Sequence, residues 1–211
     1  MLAIHRALTF LGLGLMTLIV VGLLRTGRVR ESVAFSCYIG VATLFGFAIV
    51  SSPSLYTPEV FMVKQGIYDG LLIGMAIELS IRVFGAFRGV AQRVRAQLAA
   101  AVIASTVIVL LVTPENAAYG DLSRYQPAIT TAGIWCLSFV GLLIVWYQIP
   151  VPSFTRAIIL GYVPYLLVFV VCTDLIGRLG WGAITGINTA NAVAYDALAA
   201  YWAYAAWRKD A

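Results

Sequence analysis

Histidine, lysine and cysteine are all scarce in this chain, and each shortage closes off a class of chemistry. The single histidine is His5, so a bis-histidine haem, a histidine-based intramembrane metalloprotease and a histidine-containing triad are excluded. Retinal binding needs a Schiff-base lysine inside the bundle. The two lysines, Lys64 and Lys209, both fall at predicted helix ends, so a rhodopsin-type pigment is excluded as well. Cys37, Cys136 and Cys172 contain no CxxC pair and read as packing residues, with neither a disulfide framework nor a zinc knuckle. No P-loop and no GxGxxG precedes a helix. These absences argue against an enzyme, a metal site or a prosthetic group, and leave open a bound lipid or pigment.

Charge is the next shortage. Only 11% of the 211 residues are charged and 62% are hydrophobic, with a mean hydropathy of +0.93, too little polar surface to coat a soluble globule. The chain therefore belongs in a bilayer. Apolar runs of roughly 20 residues, enough to cross the hydrocarbon core, recur seven times, near 7–24, 32–51, 66–87, 96–113, 128–148, 157–177 and 186–207. Runs such as "LGLGLMTLIVVGLL" and "AAAVIASTVIVLLV" are continuously apolar, whereas a membrane β-barrel alternates. The expected fold is an all-α, polytopic bundle of seven transmembrane helices forming one domain over 1–211. The first run ends in "RTGRVRES" and not at a small-residue cleavage site, so it reads as an uncleaved helix.

A net charge of +5 does not signal nucleic acid, because the arginines sit at helix ends. Arg25, Arg28, Arg30, Arg88, Arg93, Arg95, Arg156, Arg208 and Lys209 gather on one side, and Arg6, Lys64, Arg124 and Arg178 on the other. The positive-inside rule then puts the N-terminus outside and the C-terminus in the cytoplasm of a bacterial inner-membrane protein. The wider external joins, 51–65 and 113–127, read as short caps over the helix ends.

Within the helices the few polar residues stand out. Glu78 and Arg82 lie one turn apart on one face of the third helix, acid first, as a favourable pair requires. Asp69 lies between two and four turns before them. Asp174 and Arg178 repeat the spacing at the outer end of the sixth helix, which also carries Pro164 and is expected to kink there. The seventh helix places Asn188, Asn191, Tyr195 and Trp202 on one face. Asp196, about 100° around from Tyr195, has no basic residue three or four positions away. Such an acid must be protonated, hydrogen-bonded across helices or paired with a distant arginine, and it is the leading functional candidate. The stretch "LAAYWAYAAW" at 198–207 reads as a small-residue surface for docking further subunits or a second copy.

"YDGL" at 68–71 and "YDAL" at 195–198, with Tyr38 and Tyr162 in the second and sixth helices, suggest a parallel repeat of three helices on either side of a central one. The stretches "FSCYIG" (35–40), "SLYTPEVF" (54–61) and "IELSIRVF" (77–84) resemble a family of small bacterial seven-helix membrane proteins of unassigned activity. That resemblance implies the fold and topology and carries over no site residues. A fainter similarity is to the seven-helix sensor modules that precede bacterial histidine kinases. A third is to leak channels of the Bax-inhibitor type, which use acids in their last two helices, as Asp174 and Asp196 would be. The expected function is a non-enzymatic accessory or assembly subunit or a small-ligand sensor. The alternative is a proton- or cation-conducting leak channel or transporter, which needs a polar path joining Asp196, Glu78 and the asparagines.

Overall fold

Glycine, serine and proline set where the helices begin and end. The first helix, α1 (Leu2–Thr26), stops at Gly27, whose φ of 71° is left-handed, a conformation that most other residues resist. A single 3-10 turn, Arg28–Glu31, reverses the chain. Buried Ser32 then caps α2 (Val33–Ser51), its hydroxyl accepting from the Phe35 amide at 3.3 Å. After a second short turn, Pro53–Leu55, the third helix α3 (Pro58–Gly85) opens on a proline, whose missing N–H costs nothing at that position. Thr57 Oγ1 accepts there from the Val60 amide at 3.4 Å. The remaining helices are α4 (Gly120–Trp146), α5 (Ser153–Leu179) and α6 (Ile184–Trp207).

This computed structural model describes residues 2–55, 57–85, pairs of positions between 92 and 108, 120–179 and 184–208. Among the described residues six helices are delimited and there is no strand. The expected helix over 96–113 falls largely outside them; its described positions are helical and exposed. Two helices start earlier than hydropathy suggests, at Pro58 instead of 66 and at Gly120 instead of 128. Hydropathy marks only the apolar part of a helix, whereas its hydrogen bonds continue into polar turns. Much of the expected caps at 51–65 and 113–127 is therefore helix. The fifth helix runs through Pro164 as one element.

Among the described residues the six helices pack in chain order, α1 to α2, α2 to α3 and onward, and α6 returns to α1 to close a ring. The ring is filled by an aromatic column. At one level Phe35, Phe154 and Trp202 are fully buried and meet edge-on, with centroids 5.5 and 4.9 Å apart. Above them Tyr162 stacks on Trp202 at 5.3 Å and touches Tyr38 at 6.0 Å across the ring. Tyr38 meets Tyr68 at 5.4 Å, and Tyr165 meets Tyr195 at 5.3 Å. Such aromatic pairs add about 0.5–1.5 kcal/mol each beyond burial.

The outside of the ring is as apolar as the inside: Leu24, Leu44, Trp135 and Trp146 are 68%, 70%, 69% and 75% exposed. Among the described residues four helices are long and apolar enough to cross a bilayer, over Arg6–Thr26, Val33–Ser51, Glu59–Val83 and Ser153–Cys172, and a shorter apolar stretch covers Ala132–Trp146. This is consistent with a membrane protein. The last helix is not among the four, because alanine, asparagine, threonine and tyrosine dilute its hydropathy. Its small side chains serve close packing instead. Ala199, Ala203, Ala205 and Ala206 are buried together with Leu198 and Trp202, against α1 and α5.

Candidate functional site

Two polar constellations emerge, at different heights in the ring. The first surrounds the turn between α1 and α2. Glu78 of α3 accepts the amides of Val33 and Ala34 at 2.9 and 2.8 Å and the Ser32 hydroxyl at 3.2 Å, so its carboxylate caps the start of α2, where a helix dipole favours negative charge. Arg82 closes on Glu78 at 2.9 Å and donates to the Arg30 carbonyl at 2.7 Å. The pair expected from the four-residue spacing is present, and it also clamps the turn.

Arg28, on the same turn, was legible in sequence only as one of several end-of-helix cations. Its side chain is buried, and it donates to the carbonyls of Ala205 and Arg208 at 2.6 and 2.7 Å. It also lies 3.6 Å from Glu31 and over the ring of Phe154. The last carbonyls of α6, which no helix can satisfy internally, are thus met by a cation placed at the favourable end of the dipole.

The second constellation lies mid-ring. Asp69 and Asp196 are both buried, at 8% and 7% exposure, on α3 and α6, which stand opposite each other in the ring order. Gln65 donates to Asp69 Oδ1 at 3.1 Å. Asp196 has no such neighbour: the residue four positions before it is Ala192, and its Oδ2 is enclosed without a hydrogen-bond partner. The carboxyl reaches this place because α1 has Gly12 there. A Cβ at Gly12 would come within 2.6 Å of Asp196 Oδ1. Around the carboxyl, α1, α2 and α6 leave a cleft of about 180 Å³, lined by Leu8, Thr9, Gly12, Leu13, Met16, Gly46, Val50, Ala192, Tyr195 and Asp196. The Tyr195 hydroxyl donates to Met16 Sδ at 3.6 Å, fixing one wall, and that ring continues the aromatic column.

Several sequence expectations change. Asn188 is exposed, because it lies near the beginning of α6 before the helix enters the packed ring. Asn191 is half-buried beside Tyr165, with its Oδ1 unpartnered. Glu78 and Asp196 each keep their own surroundings, the α2 cap and the α1–α6 cleft. The buried small residues of 198–207 are occupied within the chain, and Ala200, Tyr201, Tyr204 and Trp207 stay exposed on the same helix. The Asp174 side chain lies outside the described residues, so its expected pairing with Arg178 does too. Among the described residues, no group of three or more histidine, cysteine, aspartate or glutamate side chains could hold a metal ion.

No protein-family model, curated protein or solved structure matches this chain.

Proposed function

We propose that the chain is a non-enzymatic, multi-pass protein of a bacterial inner membrane that binds a small ligand beside Asp196 and reports it as a sensor. The observation carrying this reading is the Asp196 carboxyl itself, buried, lacking an internal partner at Oδ2, and standing at the wall of a cleft. An unmet buried polar atom costs about 1–3 kcal/mol, a cost that a ligand can remove. A route for the report is also supported. The helix that carries Asp196 ends on Arg28, and the turn bearing Arg28 adjoins the segment clamped by Glu78 and Arg82. With the N-terminus outside, that turn faces the cytoplasm.

The accessory-subunit reading keeps one support, the exposed Trp135, Phe139, Leu142 and Trp146 along α4, spaced as one helix face for another helix or a second copy. Conduction by intramembrane acids has less. The layer of Phe35, Phe154 and Trp202 has no solvent exposure, and Glu78 is engaged in capping α2.

Native mass spectrometry of the chain extracted in mild detergent separates these readings. The sensor reading expects a small-molecule adduct, one per chain, on wild type and its loss in Asp196→Asn. A co-purifying protein subunit without an adduct favours the accessory reading, and an adduct retained by Asp196→Asn removes the site from Asp196.

A further inference from the structure

We infer that the cleft beside Asp196 takes a small lipophilic amine, held by its ammonium group on the Asp196 carboxylate. This rests on the ligand-site reading above and adds the chemistry of the ligand.

The charge balance of the cleft comes first. Among the described residues its lining contains one acid and no basic side chain. A carboxylate enclosed in apolar surroundings needs a partner of opposite charge or a proton. An inorganic cation is a poor candidate, because hard cations gather about six oxygens and the cleft presents one carboxylate. An ammonium needs only one strong acceptor, and charge-assisted hydrogen bonds of this kind are roughly twice as strong as neutral ones.

The comparison with Asp69 sharpens the point. In the YDGL segment the aspartate is satisfied by an amide four residues earlier, Gln65 at 3.1 Å. In the YDAL segment that position is Ala192, which lines the cleft. The space beside Asp196 thus lies where the first segment keeps its own nitrogen donor. The walls of Leu8, Leu13, Met16 and Val50 suit an apolar body. The volume, about 180 Å³, is below the roughly 300–1,000 Å³ of drug-sized sites, so the part of the occupant held inside the cleft is compact.

Cyclohexylmethylamine and cyclohexylmethanol share a body and differ in ammonium against hydroxyl, so they isolate the charge. Their affinities would be measured by ligand-induced shifts in thermal unfolding of the full chain in mild detergent near neutral pH. Wild type is expected to bind the amine at least about tenfold more tightly than the alcohol. Asp196→Asn is expected to bring the two affinities together. Ala192→Gln places a Gln65-like amide in the cleft, and is expected to abolish binding of both while leaving the unliganded melting temperature at or above that of wild type. Equal affinities in wild type would overturn the amine and leave a ligand site of another chemistry. Absence of binding by either probe, with an adduct still seen in native mass spectra, would do the same. Amine binding that survives both substitutions would overturn the amine and the site together.

Discussion

Arg28→Met is expected to destabilise the protein by about 3–5 kcal/mol, the usual cost of removing one member of a buried charge arrangement. At this chain length that corresponds to a fall of roughly 10 °C in the apparent melting temperature in detergent. Methionine keeps much of the apolar bulk over Phe154 but none of the donors. The carbonyls of Ala205 and Arg208, now met at 2.6 and 2.7 Å, lose their partner, and Glu31 loses a cation at 3.6 Å. Arg30→Met, two residues on, is the control. Arg30 is exposed and contributes its backbone carbonyl to Arg82, which the substitution preserves, so a change within about 0.5 kcal/mol is expected. Equal losses for the two variants would show that Arg28 acts only as a surface charge.

Gly12→Ala is expected to cost about 1–3 kcal/mol although alanine is the better helix former by about 1 kcal/mol. The added methyl would meet Asp196 Oδ1 at 2.6 Å, so α1 and α6 must separate or the carboxyl must move. Asp196→Ala alone removes a polar group with an unmet oxygen and is expected to change stability little, the small cavity offsetting the relief. Combined, the two alanines no longer collide and the propensity gain at position 12 is recovered, so the double variant should match or exceed wild type. Unfolding of the four proteins in one detergent gives the coupling energy directly. Strict additivity would mean that Gly12 and Asp196 are not in contact.

What the sequence made legible follows from the reach of each signal. Continuous apolar runs report burial in lipid or protein, and they located the six helices that the structure delimits. A four-residue spacing reports neighbours on one helix, and it located the Glu78–Arg82 pair, present at 2.9 Å. The missing local base beside Asp196 likewise agrees with the absence of a partner at Oδ2. Contacts between distant elements carry no such period. Arg28 binds carbonyls some 180 positions away, and in sequence it differs from Arg25 and Arg30 only in following a helix-ending glycine with an acid three residues on.

The same limit explains the reading of 198–207. Small residues report that a helix is approached closely, and they do not say by what; here the approaching helices are α1 and α5 of the same chain. Gly12 is one of 19 glycines, and its particular value depends on a carboxyl that only the packed helices bring against it. The central column was equally hidden. Tyr38 and Tyr162 were matched as repeat counterparts, whereas their contact at 6.0 Å depends on α2 facing α5 across the ring.

The most direct test of the central claim, that Asp196 is the carboxyl the cleft presents to a ligand, is its chemical labelling in membranes. Diisopropylcarbodiimide is small and lipophilic and adds to carboxyls that it can reach from an apolar phase. After brief treatment and peptide mapping by mass spectrometry, Asp196 should carry the adduct well ahead of Asp69, held by Gln65, and Glu78, held by Arg82 and the α2 amides. Modification of Asp69 or Glu78 with Asp196 left untouched would contradict the claim.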